Sequence, residues 1–95
     1  MNKDDCITFE KVYQKPPPSI PWADMHSLFV AIANDYGVSC SHSPGSRLIL
    51  VVAQQGQGNN MSPVIIRVTH TPMLYPSVVA RIALRLAFAG IPLCP

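Results

Sequence analysis

The stretch Val38-Ser-Cys-Ser-His-Ser-Pro-Gly-Ser-Arg-Leu-Ile-Leu-Val-Val-Ala53 decides the fold. Two β-rich runs flank Ser43-Pro44-Gly45-Ser46, where proline presets one backbone angle and glycine supplies the positive φ of a tight turn, so the spacing predicts a hairpin. Its second arm, Leu48 to Val52, is continuously apolar and rich in β-branched residues, as expected of a central strand with little face left for water. Such a strand needs partners along its edges and a cover over its face.

The cover is predicted on both sides of the hairpin. Before it, Met25, Leu28, Phe29, Ile32, Ala33 and Tyr36 recur with helical period, which predicts a helix over 22–35 with Pro21 at or near its start and Gly37 ending it. After it, Pro63 to His70 reads as a third strand with Val64, Ile66 and Val68 on one face and Ile65, Arg67 and Thr69 on the other. A linker over 71–75 leads to a second helix, Pro76 to Ala89, closed by Gly90, whose buried stripe should be Val79, Ile82, Ala83, Leu86 and Ala87. The expectation is an α+β domain over 19–95, α-β-β-β-α, in which a three-stranded antiparallel sheet carries two helices on one face.

Residues 1–18 read as an N-terminal arm. Ile7 to Tyr13 allows one or two helical turns opened by Thr8 as N-cap, and Pro16-Pro17-Pro18 ends them. Gln54 to Asn60 has nothing to bury and should be a mobile loop. With 95 residues, one domain buries about two-thirds of its unfolded surface without staples. No metal is required, and Cys6, Cys40 and Cys94 are too widely spaced for a zinc site and read as small buried or terminal thiols. The charged start without an apolar run, and the interruption of Val78 to Leu93 by Arg81 and Arg85, predict a soluble, cytoplasmic chain without a membrane span.

Charge is distributed unevenly. The acids are Asp4, Asp5, Glu10, Asp24 and Asp35, and beyond Tyr36 the charged residues are Arg47, Arg67, Arg81 and Arg85. A unit that carries arginine alone suits a surface meeting phosphate or an acidic partner, although solvated charges on an apolar scaffold would look the same. Two cations on the second helix are too few for firm membrane binding.

His26, His42 and His70 are the side chains suited to acid–base work near neutral pH. His26 reads as a surface residue of the first helix. If the third strand pairs antiparallel with the second, His70 comes to the Arg47 end of the sheet, where His42 lies. A base, an acid and a cation in one place are what metal-free cleavage of RNA requires, and His42, His70 and Arg47 are groups of those kinds. Polar residues ending strands are the plainer reading. No phosphate loop, nucleophile elbow or paired-acid site is present, and no cofactor is implied.

Ser19-Ile-Pro-Trp-Ala-Asp-Met-His-Ser-Leu-Phe29, then Gly45-Ser46-Arg47 heading an apolar strand, then Val68-Thr-His-Thr-Pro72, then a helix finishing Ala89-Gly-Ile91, together resemble the HicA-like toxins over residues 8–93. The resemblance implies a fold like double-stranded-RNA-binding domains, messenger-RNA interferase activity in a bacterial toxin–antitoxin pair, and a HicB-type antitoxin as partner. The family's catalytic histidine follows the Gly-Ser of the hairpin; here that position is Arg47, which keeps a phosphate contact and removes a general base. His70 matches a position often occupied by histidine in the branch with Gly-Ser-Arg. Taken with the arginine-only charge of this unit, the first expectation is an RNA-directed module with Ser46, Arg47, Arg67, Arg81 and Arg85 as RNA contacts and His70 or His42 carrying any activity. A non-cleaving module that binds RNA or a protein partner is the alternative.

Overall fold

Strand pairing places the hairpin residues first. The computed structural model describes residues 2–43, 47–52 and 64–91. β2 (Ser39–Ser43) pairs antiparallel with β3 (Arg47–Val52), and β3 pairs antiparallel with β4 (Val64–Thr69). The sheet order is β2-β3-β4, so the apolar strand is central as its sequence requires. The turn at 44–46 and the polar stretch 54–60 lie outside the described residues, as do Pro63 and Cys94.

Register then fixes which side chains share a face. Leu48 pairs with Val68 and Leu50 with Ile66, and these four are buried. On the opposite face Ile49 and Val51 are half-buried, and Ile65, Arg67 and Thr69 are exposed. The alternation expected for β4 is therefore observed.

Three helices contribute to a single core on the buried face of the sheet: α1 (Lys3–Val12), α2 (Trp22–Tyr36) and α3 (Pro76–Phe88). Met25, Leu28, Phe29 and Ile32 of α2 are fully buried. Each contributes at most about 1.5 to 3 kcal/mol by apolar transfer, since a real unfolded chain already buries part of this surface. Gly37 at φ 65° ends α2 in the left-handed region, where a side chain would be strained. Val79, Ile82 and Leu86 of α3 are buried. Both stripes are narrower than the sequence predicts: Tyr36 is 40% exposed and Ala87 is exposed.

Two features revise the expected element order. A two-stranded antiparallel ribbon joins β1 (Ile20–Pro21) to β5 (Met73–Leu74), within what reads as linker; Ile20 and Leu74 are both buried beneath it. The other is α1, which starts at Lys3. Its N-cap is Asn2, whose Oδ1 accepts from the Asp5 amide at 2.8 Å. Thr8, expected as the cap, sits inside the helix and donates from Oγ1 to the Asp4 carbonyl at 3.1 Å. Asp4 and Asp5 in the first turn and Lys11 in the last complement the helix dipole, and Phe9 and Val12 enter the core.

The cysteines depart from the expectation of three thiols: Cys6 is disulfide-bonded, while Cys40 is free and half-buried. Disulfides persist chiefly in oxidising compartments. Among the described residues, no helix is long and apolar enough to cross a membrane.

A polar contact ties α1 to α2: Ser27 Oγ donates to Asp5 Oδ1 at 2.6 Å, with Asp5 only 6% exposed. Removing the hydroxyl leaves a nearly buried carboxylate short of a donor. Ser27→Ala should cost about 1 to 3 kcal/mol in urea unfolding, and a cycle with Asp5→Asn should show non-additivity. Phe29→Ala, which empties the centre of the α2 stripe, should cost about 3 to 5 kcal/mol.

Candidate nucleic-acid interface

Arg67 belongs to β4, the edge strand of the sheet, and alternation turns it away from the core. Arg81 and Arg85 stand one helical turn apart on α3, which packs against β4. These three exposed arginines, from elements separate in sequence, line one groove of about 260 Å³ between β4 and α3. Its floor is aliphatic, with Ile66, Val78 and Ile82 contributing, and none of its lining residues is acidic. A guanidinium fixed over an aliphatic floor keeps its donors turned outward, where phosphate oxygens take them in pairs.

The register also settles where the sheet-end residues fall along the backbone. His42 lies opposite Leu48, Ser43 opposite Arg47, and Arg47 opposite Thr69. The backbones of His42, Arg47 and His70 therefore come to the same end of the sheet, the placement expected from antiparallel pairing. The side chains of His42 and Arg47, and Ser46 as a whole, lie outside the described residues.

His70 is exposed and held by an aromatic neighbour. Its imidazole meets the Trp22 indole edge-on, with ring centroids 4.8 Å apart. Three local features bring them together. The Trp22 amide, in the first turn of α2, donates to the Pro72 carbonyl at 3.2 Å; Thr71 Oγ1 donates to the Met73 carbonyl at 3.2 Å; and the β1–β5 ribbon fixes both chains. His26 lies beside the same indole at 6.4 Å and is half-buried at the surface of α2, since residue 26 stands one turn after residue 22 on the same side of the helix.

Trp22 is the residue that sequence reasoning left without a role. The signal was present as the lone tryptophan beside Pro21 in a quoted motif, but its contact with His70 depends on a ribbon of two residues per strand. Arg67 lies three residues before His70, about 10 Å along the strand. Arg67 within β4 and His70 just past its end are thus close along the chain. Among the described residues, no group of three or more His, Cys, Asp or Glu is placed to hold a metal ion. Burial pushes the Cys40 thiol and the Tyr13 phenol above their ordinary values; for Cys40 this lowers the thiolate fraction and with it nucleophilicity. No family model, curated protein or solved structure matches the chain.

The Trp22–His70 contact has a direct readout. In proton NMR the His70 ring resonances should be displaced by the indole ring current, and Trp22→Ala should return them to the positions of an exposed histidine. Unchanged His70 resonances in that variant would show that the rings do not meet in solution.

Proposed function

We propose that this chain is an RNA-directed module of the HicA-like kind, binding an RNA duplex through Arg67, Arg81 and Arg85. The observation that supports this most is the convergence of those arginines, from β4 and α3, on one acid-free groove. Arg47 and Ser46 at the head of β3 would extend the phosphate contacts along the sheet. Recognition would be by shape and backbone, because the major groove of an A-form helix is too narrow for side chains to read. The fold reading that goes with this is that of a double-stranded-RNA-binding domain to which α1 and the β1–β5 ribbon have been added.

The biological setting follows from the sequence resemblance: a toxin of a bacterial toxin–antitoxin pair, acting on messenger RNA in the cytoplasm and neutralised by a HicB-type protein; the disulfide at Cys6 is the observation that weighs against that compartment. If the module cleaves, the base and acid are His70 and His42, with an arginine stabilising the charge on the phosphate. The second reading, an RNA-binding or protein-binding module without cleavage, is favoured by Arg47 at the position of the family's histidine. A guanidinium stays protonated and takes no proton from a 2′-hydroxyl.

Two measurements separate these readings. Affinity for a structured RNA should fall with salt along a log–log slope of about −2 to −4, and each Arg→Ala change at 67, 81 or 85 should flatten it by about one. A salt-independent response would overturn RNA binding by phosphate contact. Incubation of the same RNA in EDTA, with His70→Ala and His42→Ala alongside, should give 2′,3′-cyclic phosphate ends that one histidine variant abolishes. Intact RNA with salt-sensitive binding retained establishes the non-cleaving module.

A further inference from the structure

α3 carries a second surface on its other flank. A trough of about 430 Å³ runs between α3 and the segment leaving α1, with Tyr13 and Pro16 on one wall and Ala83, Leu84 and Ala87 on the other. Leu84 at its crest is 73% exposed, and Phe88, one turn on, is 70% exposed. Scattered apolar residues on a surface need no explanation, but these are continuous with an apolar trough, and such patches mark interaction sites. The charged residue in its lining is Lys15, and no lining residue is acidic; Arg81, which lines the groove on the other flank, lies about 60° from Leu84 around the helix.

We propose that this trough docks an amphipathic helix of a partner protein, one that carries carboxylates beside its apolar stripe. Ala83 and Ala87 leave room for a helix axis to approach within the usual 8 to 10 Å, and Leu84 is the knob such a helix would enclose. Lys15 on one side and Arg81 on the other select carboxylates flanking the stripe. A second copy of this chain fits less well, because a two-fold contact would set these cations against their own equivalents. A bilayer would gain only about 1 kcal/mol from each cation and would not fill a trough. RNA binding uses the opposite flank of α3, and Arg81 is the residue the two surfaces share.

The test uses the full chain labelled with 15N and, as probe, a side-chain-bridged synthetic helix with leucine along one stripe and glutamate on both flanks. Its twin has lysine in place of glutamate. The acidic helix should shift the amides of Tyr13, Ala83, Leu84 and Ala87 saturably, and bind at least about tenfold more tightly than the twin. Leu84→Glu, an exposed site whose helicity by circular dichroism should match the parent, should weaken it by about tenfold or more, and Leu84→Gln, which sets no carboxylate beside Arg81 and Arg85, should weaken it as well and leave RNA affinity unchanged; Lys15→Glu should act in the same direction as Leu84→Glu. Equal binding of the twin, shifts confined to β4, or no binding would overturn the proposal. So would a dimer in sedimentation that Leu84→Glu dissolves, which would make the occupant a second copy, or co-sedimentation with phosphatidylserine vesicles, which would make it a membrane.

Discussion

The structure depends on the burial of one face of β3 between two antiparallel neighbours. Leu48 and Leu50 are fully buried, their strand is paired along both edges, and all three helices contribute to the core they enter. Because side chains alternate along a strand, a slip of one residue between β3 and β4 would bring Arg67 into the core and expose Val64, Ile66 and Val68. The aliphatic stripe of β4 therefore does more than hold the sheet. It places Arg67 on the face of this edge strand that is turned from the core, and it sets His70 at the sheet end shared by the backbones of His42 and Arg47.

Much of this frame can be read from periodicity. Met25, Leu28, Phe29 and Ile32 recur with the helical period, and Val64, Ile66 and Val68 with the strand period, because each set is pressed against one surface that selects its spacing. What escapes periodicity is short or local. Ile20–Pro21 and Met73–Leu74 are two-residue strands that exist only as a pair, so neither segment alone carries a signal. The start of α1 is marked by a capping oxygen, Asn2 Oδ1, and its packing beside α2 through Phe9 and Val12 is joined by a hydrogen bond from Ser27 to Asp5. Pattern is silent about bonds of that kind.

The candidate site was legible in part for the same reason. Arginine without acid after Tyr36 is a property of the sequence, whereas the meeting of Arg67 with Arg81 and Arg85 requires β4 to be an edge strand with α3 packed beside it. Trp22 shows the limit more sharply. It holds His70 edge-on through a backbone bond to Pro72 and a two-residue ribbon, and no spacing rule connects positions 22 and 70. The proposed HicA-like reading looks to the same end of the sheet, and an arginine at position 47 limits what that end could do, since a guanidinium accepts no proton. RNA binding is therefore the central claim, with cleavage secondary to it.

The most direct test of that claim is to titrate a short RNA duplex into the 15N-labelled chain at low salt and follow the backbone amides. The account predicts that shifts concentrate on residues 65–70 of β4 and its end and on 78–85 of α3, while amides of α1 from Lys3 to Val12 stay in place. Shifts spread over α1 and the trough beside Tyr13, or none at all under conditions where the protein stays folded, would contradict it.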